Sequence, residues 1–432
     1  MPCIDPTHSD DDTKSTPFTR PSRPRATKTS AAAKPVKEES DSEYDSEAPK
    51  KAPKVIAKRA RVPVKRKVKA EASSSEAEST AKPAPKKRKT AAEKRAEDMA
   101  GPLAARTVGK LLIGAHVSMA KGVQNAITNS QNIGGNALAL FLKSQRKWSS
   151  PPLAAADVAA FADNCRKFNY DPRTQILPHG SYLINLANGD PAKQKQAYDC
   201  FLDDLKRCEM LNIGLYNFHP GSTLGAPRDE ALGRIAAALN KAHKETKFVK
   251  TVIENMVGAG NVVGSAFEDL RDIIKDVEDK SRVGVCLDTC HLFAAGHDIR
   301  TAESYAAVME SFDKIVGREY LCALHINDSK GALNSKKDLH QNIGMGCLGL
   351  EAFRVLVNDK RLEGLPMVLE TPTDEEPSIW AKEIKLLESL VGMTGKEDEF
   401  LSQAKELQEK GRKEMERIAV MVSKKTTKAP EA

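Results

Sequence analysis

From Leu111 to about residue 393 the chain alternates short, nearly continuous apolar runs with longer stretches of helical periodicity. The runs are LLIGAHVS (111–118), ALALFLK (137–143), TQILPHGS (174–181), LYNFHPG (215–221), TVIENM (251–256), VGVCLDTCH (283–291), LCALHIND (321–328) and MVLETP (367–372), eight in all. Runs of this kind, without strict alternation of polar positions, are what strands buried on both faces look like. Between them the clearest helix covers 193–212, where Ala197, Phe201, Leu205, Cys208 and Leu211 recur at steps of four and three and share one face. Eight parallel strands with crossover helices predict an α/β fold, a (β/α)8 TIM barrel over residues 108–393. A doubly wound open sheet is the alternative. No G-x-G-x-x-G follows the first run and no G-x-x-x-x-G-K-[ST] occurs, so a nucleotide-cofactor reading lacks its main support.

The polar positions at the ends of these runs change the picture. They are His116, His179, His219, Glu254, Asp288 with His291, His325 with Asp328, and Glu370. A charged or imidazole side chain ending a buried strand is costly unless it is paired, bound to metal or open to a solvent-filled mouth. All of them fall at C-terminal strand ends, the face on which barrel enzymes build their sites. One strand-end histidine reads as a hydrogen-bonded core residue. His179, His219, Glu254, Asp288, His325 and Glu370 together read as a ligand set for first-row metal ions, zinc or manganese, because carboxylates sharing one cavity repel without cations. His116 has no acidic neighbour in sequence, so a structural or substrate-phosphate role is as open to it as ligation. Cys286 and Cys290 flank Asp288 and read as core. After the seventh run, Asp338-Leu339-His340 could supply two ligands from a loop.

Composition sets the ends of the chain apart. The first hundred residues are crowded with Lys, Ser, Glu, Ala and Pro and carry almost no periodic apolar pattern, too little to offset chain entropy, so 1–107 is expected to be a disordered tail. Residues 394–432 are expected to form a charged helical or frayed extension, with apolar residues too sparse for a second core. Residues 1–100 hold 24 Lys and Arg against 16 Asp and Glu, and residues 101–432 hold 43 against 43, so the formal excess of +8 lies in the tail. Any grip on a polyanion by the folded part must therefore be local. Two basic clusters in the tail, at 58–69 (with Lys65, Arg66 and Lys67) and 85–89 (Lys86, Lys87, Arg88 and Lys89), suit a nuclear import receptor and predict a nuclear protein. A solvated tail or nonspecific DNA tether is the alternative, and a mitochondrial pool stays open. Eight cysteines without a C-x-x-C pair suit free thiols in a reducing compartment. The acidic N-terminus MPCIDPTHSDDD lacks a secretory core, and no apolar run approaches the roughly 18 to 20 residues of a membrane span, so a soluble intracellular protein is expected.

The strings HGSYLINLA (179–187), NFHPGS (217–222), VCLDTCH (285–291), LHINDSK (324–330) with DLH (338–340), and VLETP (368–372) occur in this order. With them the chain resembles, over about 111–393, the endonuclease IV family of abasic-site DNA endonucleases. The resemblance implies a barrel holding three zinc ions, with manganese an option in part. One ion would be held by His179, His219 and Glu254, a second by Glu254, Asp288, His325 and Glu370, and a third by His291, Asp338 and His340, with Glu254 bridging two of them at the catalytic centre. It also implies hydrolysis 5′ to an abasic deoxyribose to leave a 3′-hydroxyl, removal of 3′ blocking groups, and base excision repair by a monomer acting on duplex DNA. Paired cations suit this chemistry because they stabilise both the attacking and the leaving oxygen of a phosphodiester displacement. Lesion recognition would fall to Gln145 and Arg146 after the second strand and to Tyr182 and Leu183 after the third, where an aromatic and an aliphatic wedge can replace stacking. Tyr182 and Leu183 could instead pack a helix onto the barrel. Leu339, Gly180 and Met345 depart from the family's pattern without touching the ligand set. The rival readings are a barrel sugar isomerase or epimerase, which would need a proton-shuttling lysine or acid pair, and a non-catalytic DNA-damage binder.

Overall fold

A computed structural model of the chain describes residues 101–374 and 376–426. The basic clusters with Lys65, Arg66, Lys67, Lys86, Lys87, Arg88 and Lys89 lie outside the described residues.

Seven of the eight apolar runs form regular strands: β1 (Leu112–His116), β2 (Ala137–Ala139), β3 (Leu215–Phe218), β4 (Lys250–Glu254), β5 (Val283–Asp288), β6 (Leu321–His325) and, after a short antiparallel pair β7 (Asp328–Ser329) and β8 (His340–Gln341), β9 (Pro366–Leu369). They pair in parallel in the order β2-β1-β9-β6-β5-β4-β3. The run at 174–181 differs from expectation: it makes only the isolated bridges Leu138↔Ile176 and His179↔Asn217. Even so it closes the barrel. Leu177 and His179 donate their amides to Leu138 O (2.9 Å) and Leu140 O (3.0 Å) on one side, while Gly180 donates to Asn217 O (2.8 Å) and Asn217 to Pro178 O (2.9 Å) on the other. Pro178 has no amide hydrogen to give its neighbour, so the ladder thins there.

Successive residues of each strand face opposite ways, and both sides are covered, which is why the runs lack alternation. Ala139, Leu177, Val252, Cys286, Cys322, Ala323 and Val368 fill the inside of the barrel. A larger apolar layer lies between the sheet and its helices. These helices are α1 (Asn125–Asn132), α2 (Ala155–Lys167), α3 (Pro191–Met210), α4 (Arg228–Glu245), α5 (Phe267–Asp276), α6 (Thr289–Ala295), α7 (Ala302–Ile315), α8 (Leu350–Val357) and α9 (Ser378–Ser389). In α3 the predicted face of Ala197, Phe201, Leu205 and Cys208 is buried. Its start is set by Pro191 at the first helical position and by Asp190, whose carboxylate accepts from the amides of Ala192 and Lys193.

Two segments assigned by pattern to the flanks are engaged with the barrel. Arg106 lies 4.1 Å over the ring of Tyr170 and donates to Asn136 Oδ1 at 2.7 Å, and Thr107 donates to Glu388 at 2.9 Å. At the other end, α10 (Asp398–Thr426) buries Phe400 and Ile418. The seven described cysteines are free. Among the described residues, no helix is long and apolar enough to cross a membrane.

Candidate metal centre

The C-terminal ends of the strands bring the imidazoles and carboxylates together. Glu254, the last residue of β4, is fully buried and divides its two oxygens between two pairs of histidines. Its Oε2 lies 3.1 Å from His179 Nε2 and 3.4 Å from His219 Nε2; its Oε1 lies 3.0 Å from His325 Nδ1 and 3.4 Å from His291 Nδ1. Glu370, directly after β9, lies 3.4 Å from His325 Nδ1. The turn from β5 into α6 delivers two further groups: Asp288 ends the strand and caps the helix by accepting from the amide of His291 at 2.8 Å, which fixes both side chains on the same side. Asp338 then lies 3.3 Å from His291 Nε2 and 3.1 Å from His340 Nε2.

Five groups of donor atoms have their members within 4.8 Å of one another; three of them are His179, His219 and Glu254; Glu254, Asp288, His325 and Glu370; and His291, Asp338 and His340, and a fourth joins His179, His325 and Glu370. The buried Nε2 atoms of His291, His325 and His340 have no hydrogen-bond partner. Of these, His291 Nε2 and His340 Nε2 face the Asp338 carboxylate without hydrogen-bond geometry, the arrangement that a cation between them would require. Cys290 also comes within reach of Asp288 and His340. Burial, reinforced by Asp288 and Asp338, holds its thiol well above its ordinary range. Cys286 lies inside the barrel.

The electrostatics point the same way. Burial works against the His325 imidazolium, but Glu254 and Glu370 overcome it and raise the group to about 10. His340 is raised to about 9 by Asp338 and Asp288 against the same penalty, and His291 well above its usual range by Asp288, Asp338 and Glu254. Burial pushes the Glu254 carboxyl up, yet His325 and His219 bring it well below the carboxylate range. A buried pocket whose carboxylates stay ionised and favour protonated imidazoles beside them is a pocket for positive charge, and the residues present fit divalent cations.

Around this set lies a frame of amides that the sequence reading missed. Asn217 donates to Glu254 Oε2 at 2.5 Å, Asn255 Oδ1 accepts from the Asp288 amide at 2.7 Å, and Asn327 donates to Asp288 Oδ2 at 2.6 Å. The signal was present: each is a buried amide within two residues of a ligand-type residue in an apolar run, a placement that demands a partner. His116 is brought to Glu370, Nδ1 to Oε1 at 2.9 Å, with its ring 4.4 Å from that of Phe141. Tyr182 and Leu183 are 55% and 37% exposed rather than folded under a helix. The Tyr182 ring stands 5.4 Å from His179 and 5.5 Å from His219, at the mouth of the cluster. Gln145 and Arg146 are exposed on the neighbouring loop, where the Gln145 carbonyl accepts from the Ser181 hydroxyl at 2.8 Å.

Residues 127–390 match the family model described as xylose isomerase-like TIM barrel. Apurinic-apyrimidinic endonuclease 1 of Saccharomyces cerevisiae is 50% identical over 283 residues, 66% of this chain and 77% of that protein. A probable endonuclease 4 of Campylobacter curvus is 51% identical over 279 residues, 64% of this chain and 97% of the relative. Endonuclease IV from Thermus thermophilus, a solved structure, superposes with a TM-score of 0.56 at 31% identity, covering 64% of this chain and 98% of its own. With a family model spanning most of its barrel and half of the aligned residues shared with these relatives, the chain belongs to the xylose isomerase-like TIM barrels and, among them, to the endonuclease IV family.

Proposed function

We propose that this chain is a zinc-dependent DNA repair endonuclease that hydrolyses the phosphodiester 5′ to abasic sites, leaves a 3′-hydroxyl and removes 3′ blocking groups. The observation that carries this reading is the division of one buried carboxylate, Glu254, between His179 and His219 on one oxygen and His325 and His291 on the other. It is supported by the likeness to proteins named apurinic-apyrimidinic endonuclease 1 and probable endonuclease 4. His179, His219 and Glu254 would hold one ion; Glu254, Asp288, His325 and Glu370 a second; His291, Asp338 and His340 a third. Imidazoles and carboxylates without a required thiolate suit zinc, with manganese a partial substitute. When bound, such ions supply Lewis-acid stabilisation of phosphate charge and of a hydrolytic nucleophile.

The protein's own residues then position and exclude. Asn217, Asn255 and Asn327 hold the carboxylates in register, and the apolar barrel interior closes the floor beneath them. Tyr182 and Leu183, with Gln145 and Arg146, would enter duplex DNA at the lesion, so that only a sugar lacking its base turns into the cavity. The protein would act as a monomer, with Lys65–Lys67 and Lys86–Lys89 addressed by a nuclear import receptor, making it a nuclear enzyme. Deleting residues 58–89 should leave catalysis intact and reduce nuclear accumulation in imaged cells.

The test of the central reading is a duplex bearing a single tetrahydrofuran abasic analogue, incubated with the zinc-loaded protein with and without a strong chelator. Strand nicking 5′ to the analogue that is lost on chelation is expected. An intact strand in the zinc-replete sample overturns the reading.

A further inference from the structure

The long helix α10 lies beyond the residues matched by the family model. Its inward positions form a single stripe: Phe400, Gly411 and Ile418 are buried, and Ala404 and Leu407 are half-buried. Steps of three, four and seven place them on one face. That face meets residues 344–349, the connection from β8 to α8. Gln408 donates from Nε2 to the carbonyls of Gly344 (2.9 Å) and Gly346 (2.8 Å). With two carbonyl partners, it must be the NH2 end of the amide that faces the loop. At Gly411 an added Cβ would stand 1.7 Å from the carbonyl oxygen of Met345, so the helix backbone rests on the loop and only glycine fits.

The opposite side of the loop is equally full. Gly344-Met345-Gly346-Cys347-Leu348-Gly349 has the G-x-G-x-x-G spacing of an anion cradle opening a helix. Here the cradle is occupied from within by the buried carboxylate of Asp328, which accepts from the amides of Gly346 and Leu348 at 2.9 Å and of Gly349 at 3.3 Å. A Cβ on Gly346 would lie 2.3 Å from Asp328 Oδ1. Cys347 donates its amide to Ser329 O at 2.7 Å, and Ser329 pairs through β7 with His340 on β8. The loop is therefore held without slack between β7 and α10, and its first strand carries His340, two residues after Asp338.

We infer that α10, by clamping residues 344–349, holds in place the segment just before them that carries Asp338 and His340. Gln408 and Gly411 are positioning residues that keep this pair facing His291 and set how long an ion stays at that corner of the centre. The inference rests on the reading that His291, Asp338 and His340 share one ion.

The experiment uses the full-length, zinc-loaded protein. Zinc per chain is measured by atomic emission, and its transfer to a chromophoric chelator is followed over time. Gln408→Leu keeps bulk and removes both donors, Gln408→Lys returns a donor, and Gly411→Leu forces the helix off Met345. In Gln408→Leu and Gly411→Leu, one of three ions is expected to leave about ten times faster or more, the scale of outer-shell effects on metal affinity. The other two should keep the wild-type rate, and Gln408→Lys should restore most of the difference. Release curves that match the wild type in a folded Gln408→Leu protein overturn the inference. So does release of all three ions together with a lowered melting temperature, which would make α10 a general brace. A wild-type chain that takes up only two ions overturns the underlying reading of the site, and this is seen before any variant is compared.

Discussion

Asn327 donates its side-chain amide to Asp288 Oδ2 at 2.6 Å, while its own Oδ1 receives the backbone N–H of Glu370 at 2.9 Å. One neutral side chain thus ties the Asp288 carboxylate to the backbone that carries Glu370. Asn327→Leu should leave the barrel folded and weaken zinc binding by about 10- to 100-fold, as loss of an outer partner of a metal ligand does. Competition titration against a buffered chelator measures this, and an unchanged affinity would show that the amide does not hold the carboxylates in place.

Glu254 is the only carboxylate shared by two of the three donor groups assigned to metal ions. Glu254→Gln keeps its shape and removes its charge. Incision of an abasic duplex should fall by on the order of a thousandfold, the scale of losing a group that stabilises transition-state charge. Binding of the same duplex should change by only a few-fold. Single-turnover nicking and a gel-shift titration separate the two, and a variant that cuts at near wild-type rate would remove Glu254 from the centre of the chemistry.

The Tyr182 ring and the Leu183 side chain stand exposed at the mouth of the cluster, the ring beside Phe141, His179 and His219. Tyr182→Ala and Leu183→Ala should each weaken binding to abasic duplex roughly tenfold, within the range for loss of a stacking side chain. Zinc content and melting temperature should be unaffected. Equal affinity for abasic and intact duplex in the wild type, or no loss in either variant, would contradict their assignment as wedges.

His243 on α4 offers a pH test away from the metal cluster. Burial and then the Arg282 guanidinium lower its imidazole to about 4, and its Nε2 meets Thr251 Oγ1 at 3.1 Å. The folded state therefore refuses a proton that the unfolded chain accepts near pH 6.5. Its contribution to stability is fully present above about pH 6.5 and is lost as pH falls towards 4. Urea unfolding midpoints of wild type and His243→Gln should therefore converge as pH falls through that window. Parallel curves would mean that His243 titrates normally.

The strands were legible because a parallel sheet covered on both faces leaves unbroken apolar runs, and the cluster was legible because His179, Glu254 and Asp288 stand at ends of runs that have no other use for charge. The third run was harder: Pro178 removes a ladder donor, so a stretch that behaves as a strand through Leu177 and His179 lacks regular pairing. Neutral amides such as Asn217 and Asn327 carry no charge pattern, and their value appears only once chain segments tens of residues apart meet. The pairing of His116 with Glu370 spans 254 positions and has no local mark. In α10 the inward stripe includes Gly411, which counts as neither apolar nor helical in a pattern, so the fit of that helix against Met345 is visible only in three dimensions.

A closed cylinder has no free edge for a foreign strand to join. Here the closing seam between β2 and β3 is its thinnest part, stitched by residues 174–180 around a proline. Were the cylinder to part, it would unzip along this line. His179 and Tyr182 lie on it or just beyond it, so the rim that carries the proposed wedge stands on the one stretch of barrel wall held by isolated bridges rather than by a regular ladder.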